Sequence, residues 1–193
     1  MNYVVIENST ILTPFSFDID VLSGELDPQG QVHRRTLSDL HSLFINPTQG
    51  EDLVYEVRPV AVPTTNSNLL SSTTMINPGQ VNGEYYMTKG HFHQVRDRAE
   101  FYIGLSGEGL LVMATEDGSV AVEQMRPGRI NYVPGHWAHR SVNTGNVPFT
   151  FFAVYIADAG QDYATIERNG FPVAVIDDSG SPKVIPNPRY QKT

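Results

Sequence analysis

Hydrophobic positions recur along this chain in short runs, and most runs end at a glycine, a proline or a small Asn/Asp cluster. Leu53 to Val62 alternates apolar and polar residues with the two-residue period of a strand, and Pro59 within it suits an edge position. Leu69 to Ile76 reads as a strand closed by Asn77-Pro78-Gly79, and Glu84 to His93 as another. Glu100 to Leu105 and Gly109 to Ala114 are joined at Ser106-Gly107-Glu108. Glu116-Asp117-Gly118 turns the chain into Val120 to Gln124, and Arg126-Pro127-Gly128 turns it into Ile130 to Val133. Phe149 to Ile156 is apolar along most of its length, which predicts a buried strand. Asp177-Asp178-Ser179-Gly180 marks a late turn. One segment departs from this pattern. Leu37, Leu40, Leu43 and Phe44 follow helical spacing between Thr36 and Phe44, and Asn46-Pro47 stops the helix. Residues 1–32, interrupted by Pro14, Gly24, Pro28 and Gly30, predict an irregular lead-in with one or two strands. Short strands separated by frequent turn signals predict an all-β sandwich or barrel.

Composition narrows the classes. A chain of 193 residues is expected to form one domain with a core that needs no staples. Its 16 glycines and 13 prolines favour a turn-rich β architecture. The formal net charge of −8 argues against a duplex nucleic-acid partner, although a local field can still receive a small phosphorylated molecule. Cysteine is absent, so neither disulfides nor thiolate metal sites enter. The N-terminal residues lack the pattern of a secretory leader, and no apolar run reaches membrane-spanning length. The default expectation is a soluble cytoplasmic protein with no membrane partner.

The chemistry concentrates at residues 90–102 and around His139. His91 and His93 stand two apart, so on a strand their imidazoles share one face. Glu100 reaches that face either from the same strand after a bulge or from another strand after a turn. His139 comes from a distant strand. Three imidazoles and a carboxylate make a mixed site for one divalent transition metal and suit Fe, Mn, Ni, Co or Zn. Gly90 permits close backbone approach, and Gly104, Gly107 and Gly109 shape the chain returning over the site. His136, three residues before His139, reads as a surface or supporting residue, with a fifth ligand as the alternative, and His33 and His41 as structural.

These residues resemble the two half-motifs of the cupin superfamily: His91-x-His93, Glu100 and Gly107, then Gly128, Pro134, His139 and Asn143. The spacing from His93 to Glu100 is longer than in general cupins, and His136 stands where a glycine is usual. Longer strings fit one subfamily better. Gly83 to His93, Arg98-Ala99-Glu100, Tyr132-Val133-Pro134, Trp137 to Arg140, Ala157 to Gly160, Asp162-Tyr163 and Asn187-Pro188-Arg189 resemble the cupin-type glucose-6-phosphate isomerases of archaea and some bacteria.

The resemblance implies a cupin barrel (a double-stranded β-helix or jelly roll) with a short N-terminal helix and extra N-terminal strands. Residues 1–50 would be an extension, 51–160 the barrel core and 161–193 C-terminal strands. It implies a metal-dependent aldose–ketose isomerase of glycolysis or gluconeogenesis, acting on glucose 6-phosphate and fructose 6-phosphate. Iron would lead among the metals, and the protein would be a homodimer. Tyr55, Thr74, Thr88, Gly90 and Tyr163 are carried over as phosphate-binding residues. Tyr102 and Tyr155 face sugar hydroxyls, and Glu100 is the candidate base. Gln161 stands where the family usually has histidine, and an amide cannot shuttle a proton near neutral pH. Lys89 alternates away from Thr88 and Gly90, toward solvent or a second subunit. A mannose-6-phosphate or bifunctional isomerase, a cupin dioxygenase and a non-catalytic sugar-binding cupin are the alternatives.

Overall fold

The structure, a computed structural model, describes residues 14–65 and 68–192. Any part of the expected lead-in before residue 14 lies outside the described residues. The elements are β1 (Asp18–Ile19), β2 (Leu26–Asp27), β3 (His33–Thr36), α1 (Leu37–Leu40), β4 (Leu53–Pro59), β5 (Leu69–Ile76), β6 (Gln80–Val81) and β7 (Glu84–Tyr85). There follow β8 (Glu100–Ser106), β9 (Gly109–Ala114), β10 (Val120–Met125), β11 (Ile130–Val133), β12 (Ala138–Asn143), β13 (Phe149–Ile156), α2 (Tyr163–Asn169), β14 (Val173–Asp178) and β15 (Ser181–Pro186).

The fold is all-β as expected. A six-stranded sheet runs β11-β8-β13-β5-β4-β3, and its partners run β10-β9-β12 and β15-β14-β7-β6. All pairings between these strands are antiparallel. β13 lies between β5 and β8, and its alternation sets the core. Phe149, Phe151 and Ala153 are buried, and with Tyr102 and Ile76 of neighbouring strands they join Leu111, Val112 and Val142 of β9 and β12 in one cluster. Each such large apolar side chain stabilises the fold by about 1.5–3 kcal/mol through burial.

The expected N-terminal helix is present. Thr36 and Asp39 form a capping box, Leu37 and Leu40 are buried, and the second half tightens to a 3-10 turn at His41–Leu43.

Two expectations need correction. The C-terminal part is not strands alone, since α2 precedes β14 and β15. Asp162 caps α2 by accepting from the Thr165 amide, and Gly170 follows its last residue at φ +74°. An N-cap aspartate and a trailing glycine were the sequence signals for it. Nor does the segment from Glu84 to His93 form one regular strand. After β7 it continues along β12 only through isolated bridges, Met87 with Val142 and His91 with His139. Gly90 interrupts it at φ +74°.

Candidate active site

His91 is placed by its bridge to β12: its amide donates to the His139 carbonyl at 3.2 Å, and the His139 amide donates back at 3.0 Å. The two rings meet edge to face with centroids 4.5 Å apart. His93 stands 5.6 Å from His91 and 5.2 Å from His139, centroid to centroid. Glu100 opens β8 in the facing sheet, after a loop rather than on the histidines' own segment. The four residues offer one ligand atom each within 4.8 Å of one another, so the spacing-based set does converge.

The hydrogen bonds fix which nitrogens face inward. His93 Nδ1 lies 2.9 Å from the Arg98 carbonyl and His139 Nδ1 lies 3.2 Å from the Trp137 carbonyl. A carbonyl only accepts, so both Nδ1 atoms carry a proton, and in the neutral rings both Nε2 atoms present lone pairs. Those two Nε2 atoms are buried and have no hydrogen-bond partner among the described residues. They face the Glu100 carboxylate, at 2.5 Å for His139 and 3.7 Å for His93. Lone pairs aimed at a carboxylate repel unless a cation lies between them, so this donor set fits a divalent metal. Burial drives His91 well below its ordinary pKa, which keeps it a neutral ligand.

His91, Glu100 and His139 of this group line a pocket between the sheets. Its wall carries Tyr55, Thr74, Thr88, Gly90, Tyr102, Tyr155, Gln161 and Tyr163, so every candidate from the sequence lines it except His93, which lies behind. Ser72 and Ser141 also line it, with an apolar side of Val57, Phe151 and Ala153. Ser72 was missed, although it stands two residues from Thr74 on β5 and so shares its face.

Tyr102 donates to Glu100 Oε1 at 2.5 Å, and Tyr163 donates to Gln161 Oε1 at 2.7 Å. The Thr88 hydroxyl accepts from the Ser141 amide at 3.0 Å. The Gly90 amide donates to no protein group among the described residues. Burial, and then the Glu100 charge, push the Tyr102 and Tyr155 phenols up, so both stay protonated donors. Glu100 is the one carboxylate lining the pocket among the described residues.

Lys89 is not simply solvated. Its ammonium pairs with Glu167 at 2.6 Å and lies 4.7 Å from the centre of the Tyr163 ring. Arg96 ties the loop after His93 to α2: it donates to Asp162 at 2.6 Å and to Glu116 at 2.9 Å. His136 is exposed, away from the ligand cluster.

The family model for glucose-6-phosphate isomerase (GPI) matches residues 34–189. The chain belongs to the glucose-6-phosphate isomerase family. It is 42% identical over 185 residues to the glucose-6-phosphate isomerase of Pyrococcus horikoshii, spanning 92% of this chain and 97% of that one. The Thermococcus kodakarensis enzyme of the same name is also 42% identical over 185 residues, spanning 93% and 97%. That of Pyrococcus furiosus is 41% identical over 186 residues, spanning 93% and 98%. The segment matched to the family contains the ligand cluster and every pocket residue named above. Among solved structures, a Bacillus subtilis oxalate decarboxylase mutant superposes with a TM-score of 0.42 at 20% identity, over 55% of this chain and 27% of that one. A likeness that low supports no argument about chemistry. No helix among the described residues is long and apolar enough to cross a membrane.

Proposed function

We propose that this chain is a metal-dependent isomerase that interconverts glucose 6-phosphate and fructose 6-phosphate. One observation carries the reading beyond family membership: three members of the His91, His93, Glu100, His139 cluster (His91, Glu100 and His139) line a pocket walled by hydroxyls. A divalent transition ion held by these four side chains would supply Lewis-acid polarisation of the sugar carbonyl. Tyr155 donates a hydrogen bond to a sugar oxygen above the cluster, while Tyr102, whose O–H holds Glu100 in place, accepts one from a sugar hydroxyl. Thr74, Thr88, the Gly90 amide, Tyr55 and Tyr163 receive the phosphate. Val57, Phe151 and Ala153 keep water from one side of the bound sugar. Gln161 hydrogen-bonds Tyr163 and orients that wall, but does not move a proton.

Isomerisation moves one hydrogen between C1 and C2 and a proton between O1 and O2. Glu100 is the pocket's carboxylate and the group able to carry the carbon-bound hydrogen as a proton. Its oxygens already face Tyr102, His139 and His93, which weakens it as a base and favours the second route, a direct hydride shift. Turnover in deuterated water separates the two: solvent deuterium on the product carbon supports Glu100 as carrier, and its absence supports the shift.

The proposal includes iron ahead of Mn, Ni, Co and Zn, a glycolytic or gluconeogenic role, cytoplasmic location and a homodimer. Exposed Ile130 and Tyr132 on the end strand β11 support a partner surface. The test is a coupled isomerase assay on chelated protein reloaded with each metal, against glucose, fructose and mannose 6-phosphates. Turnover of the first two only after reloading is expected. Preference for the mannose ester would favour the mannose-6-phosphate alternative, and full activity after exhaustive chelation would overturn the metal role. The hydroxyl-rich wall favours a phosphosugar over the substrate of a dioxygenase, and the intact ligand cluster favours an enzyme over a binding module.

A further inference from the structure

A sugar phosphate brings a double negative charge into a pocket whose wall holds hydroxyls, an amide and no lysine or arginine among the described residues. Three cations come near it. Lys89 is committed to Glu167. Arg140 is buried behind the wall, where it donates to the Lys89 carbonyl at 2.7 Å and stacks 4.4 Å over the Phe171 ring.

Arg35 differs from both. It stands directly opposite Tyr55 in the register of β3 and β4. Directly opposed residues of an antiparallel pair emerge on the same face, and Tyr55 faces the pocket. β3 is the end strand of the six-stranded sheet, so Arg35 sits at the rim rather than in the wall. It is half-buried and forms no ion pair among the described residues. Among the described residues its guanidinium donates only to the Arg34 carbonyl, at 2.9 Å. Nearby Arg34 and Arg58 both spend their charge on Glu56. The positive field of Arg35 reaches the phenols of both Tyr55 and Tyr163, where it opposes the upward pull of burial on each.

Resting on the isomerase reading above, we propose that Arg35 is the cation that receives the phosphate group of the bound sugar, at the rim beside Tyr55 and Tyr163. A planar guanidinium can grip two phosphate oxygens at once, whereas hydroxyls and an amide supply no net charge.

The experiment compares wild type, Arg35→Gln and Arg35→Lys, all metal-loaded. Binding of inorganic phosphate is measured by calorimetry, and kcat and KM are measured with fructose 6-phosphate. Arg35→Gln is expected to weaken phosphate binding and raise KM by about tenfold or more, the range of a charge-assisted hydrogen bond, with little change in kcat. Arg35→Lys is expected to recover part of the phosphate affinity by keeping the charge. A merely structural arginine would lower the melting temperature of Arg35→Gln and leave phosphate affinity unchanged, which overturns the proposal. So does a wild type that binds no phosphate. If wild type binds phosphate through Arg35 but isomerises neither hexose phosphate, the function reading falls and the Arg35 assignment stands.

Discussion

Gly90 joins the pocket residue Thr88 to His91, the first residue of the His/Glu cluster, and replacing it by alanine tests how tightly that junction is built. Gly90 has φ +74°, a region that costs an L-residue about 1–2 kcal/mol. A Cβ there would also stand 2.7 Å from a Phe171 ring carbon, 2.9 Å from the Arg140 Cβ and 3.0 Å from the His139 carbonyl oxygen. These contacts lie in packed surroundings, and overpacking adds about 1–3 kcal/mol. The sum is about 2–5 kcal/mol. Gly83 provides the control, because it has φ +87° but nothing within 4 Å of an added Cβ. Gly83→Ala should therefore cost only the backbone part, about 1–2 kcal/mol. Urea unfolding of chelated protein measures both without the metal's own contribution. The displaced His91–His139 bridge should also lower metal affinity in Gly90→Ala and not in Gly83→Ala. Equal destabilisation by the two substitutions, with equal metal affinity, would refute the close-packing argument.

Other outcomes follow from the same geometry. Glu100→Gln removes the single negative ligand and is expected to weaken metal binding by at least about 100-fold, the upper range for lost supporting partners of a ligand, as read by metal content after dialysis. Tyr102→Phe deletes the donor to Glu100 Oε1. A hydrogen bond to a charged group contributes about 1.5–3 kcal/mol, so kcat should fall by about tenfold or more with the fold intact by circular dichroism. Gln161→His restores a group that titrates near neutral pH and is expected to speed turnover of the cyclic sugar. An unchanged rate there would mean that position 161 does not limit ring opening.

Much of this molecule was written in local pattern. The strands from Leu53 to Phe151, the short helix after Thr36 and the turns between them follow from alternation, helical spacing and turn residues, all of which act over a few neighbours. The convergence of the His/Glu cluster was legible too, because His91-x-His93 is a local spacing and Glu100 and His139 sit in recognisable strings. Tertiary structure decided what depends on residues far apart. Phe171, Arg140 and His139 leave no room for a side chain at Gly90, where the segment after β7 breaks, and none of these is a sequence neighbour. Lys89 turned from an expected solvent-facing lysine into a partner of Glu167 only once α2 had packed beside it. Glu100 could have come from the histidines' own segment or from elsewhere, and only the facing of two sheets set it opposite His139. Arg35 carried no motif at all. Its nearness to the pocket is a matter of β-sheet register, and a register joins residues whose proximity no local pattern encodes.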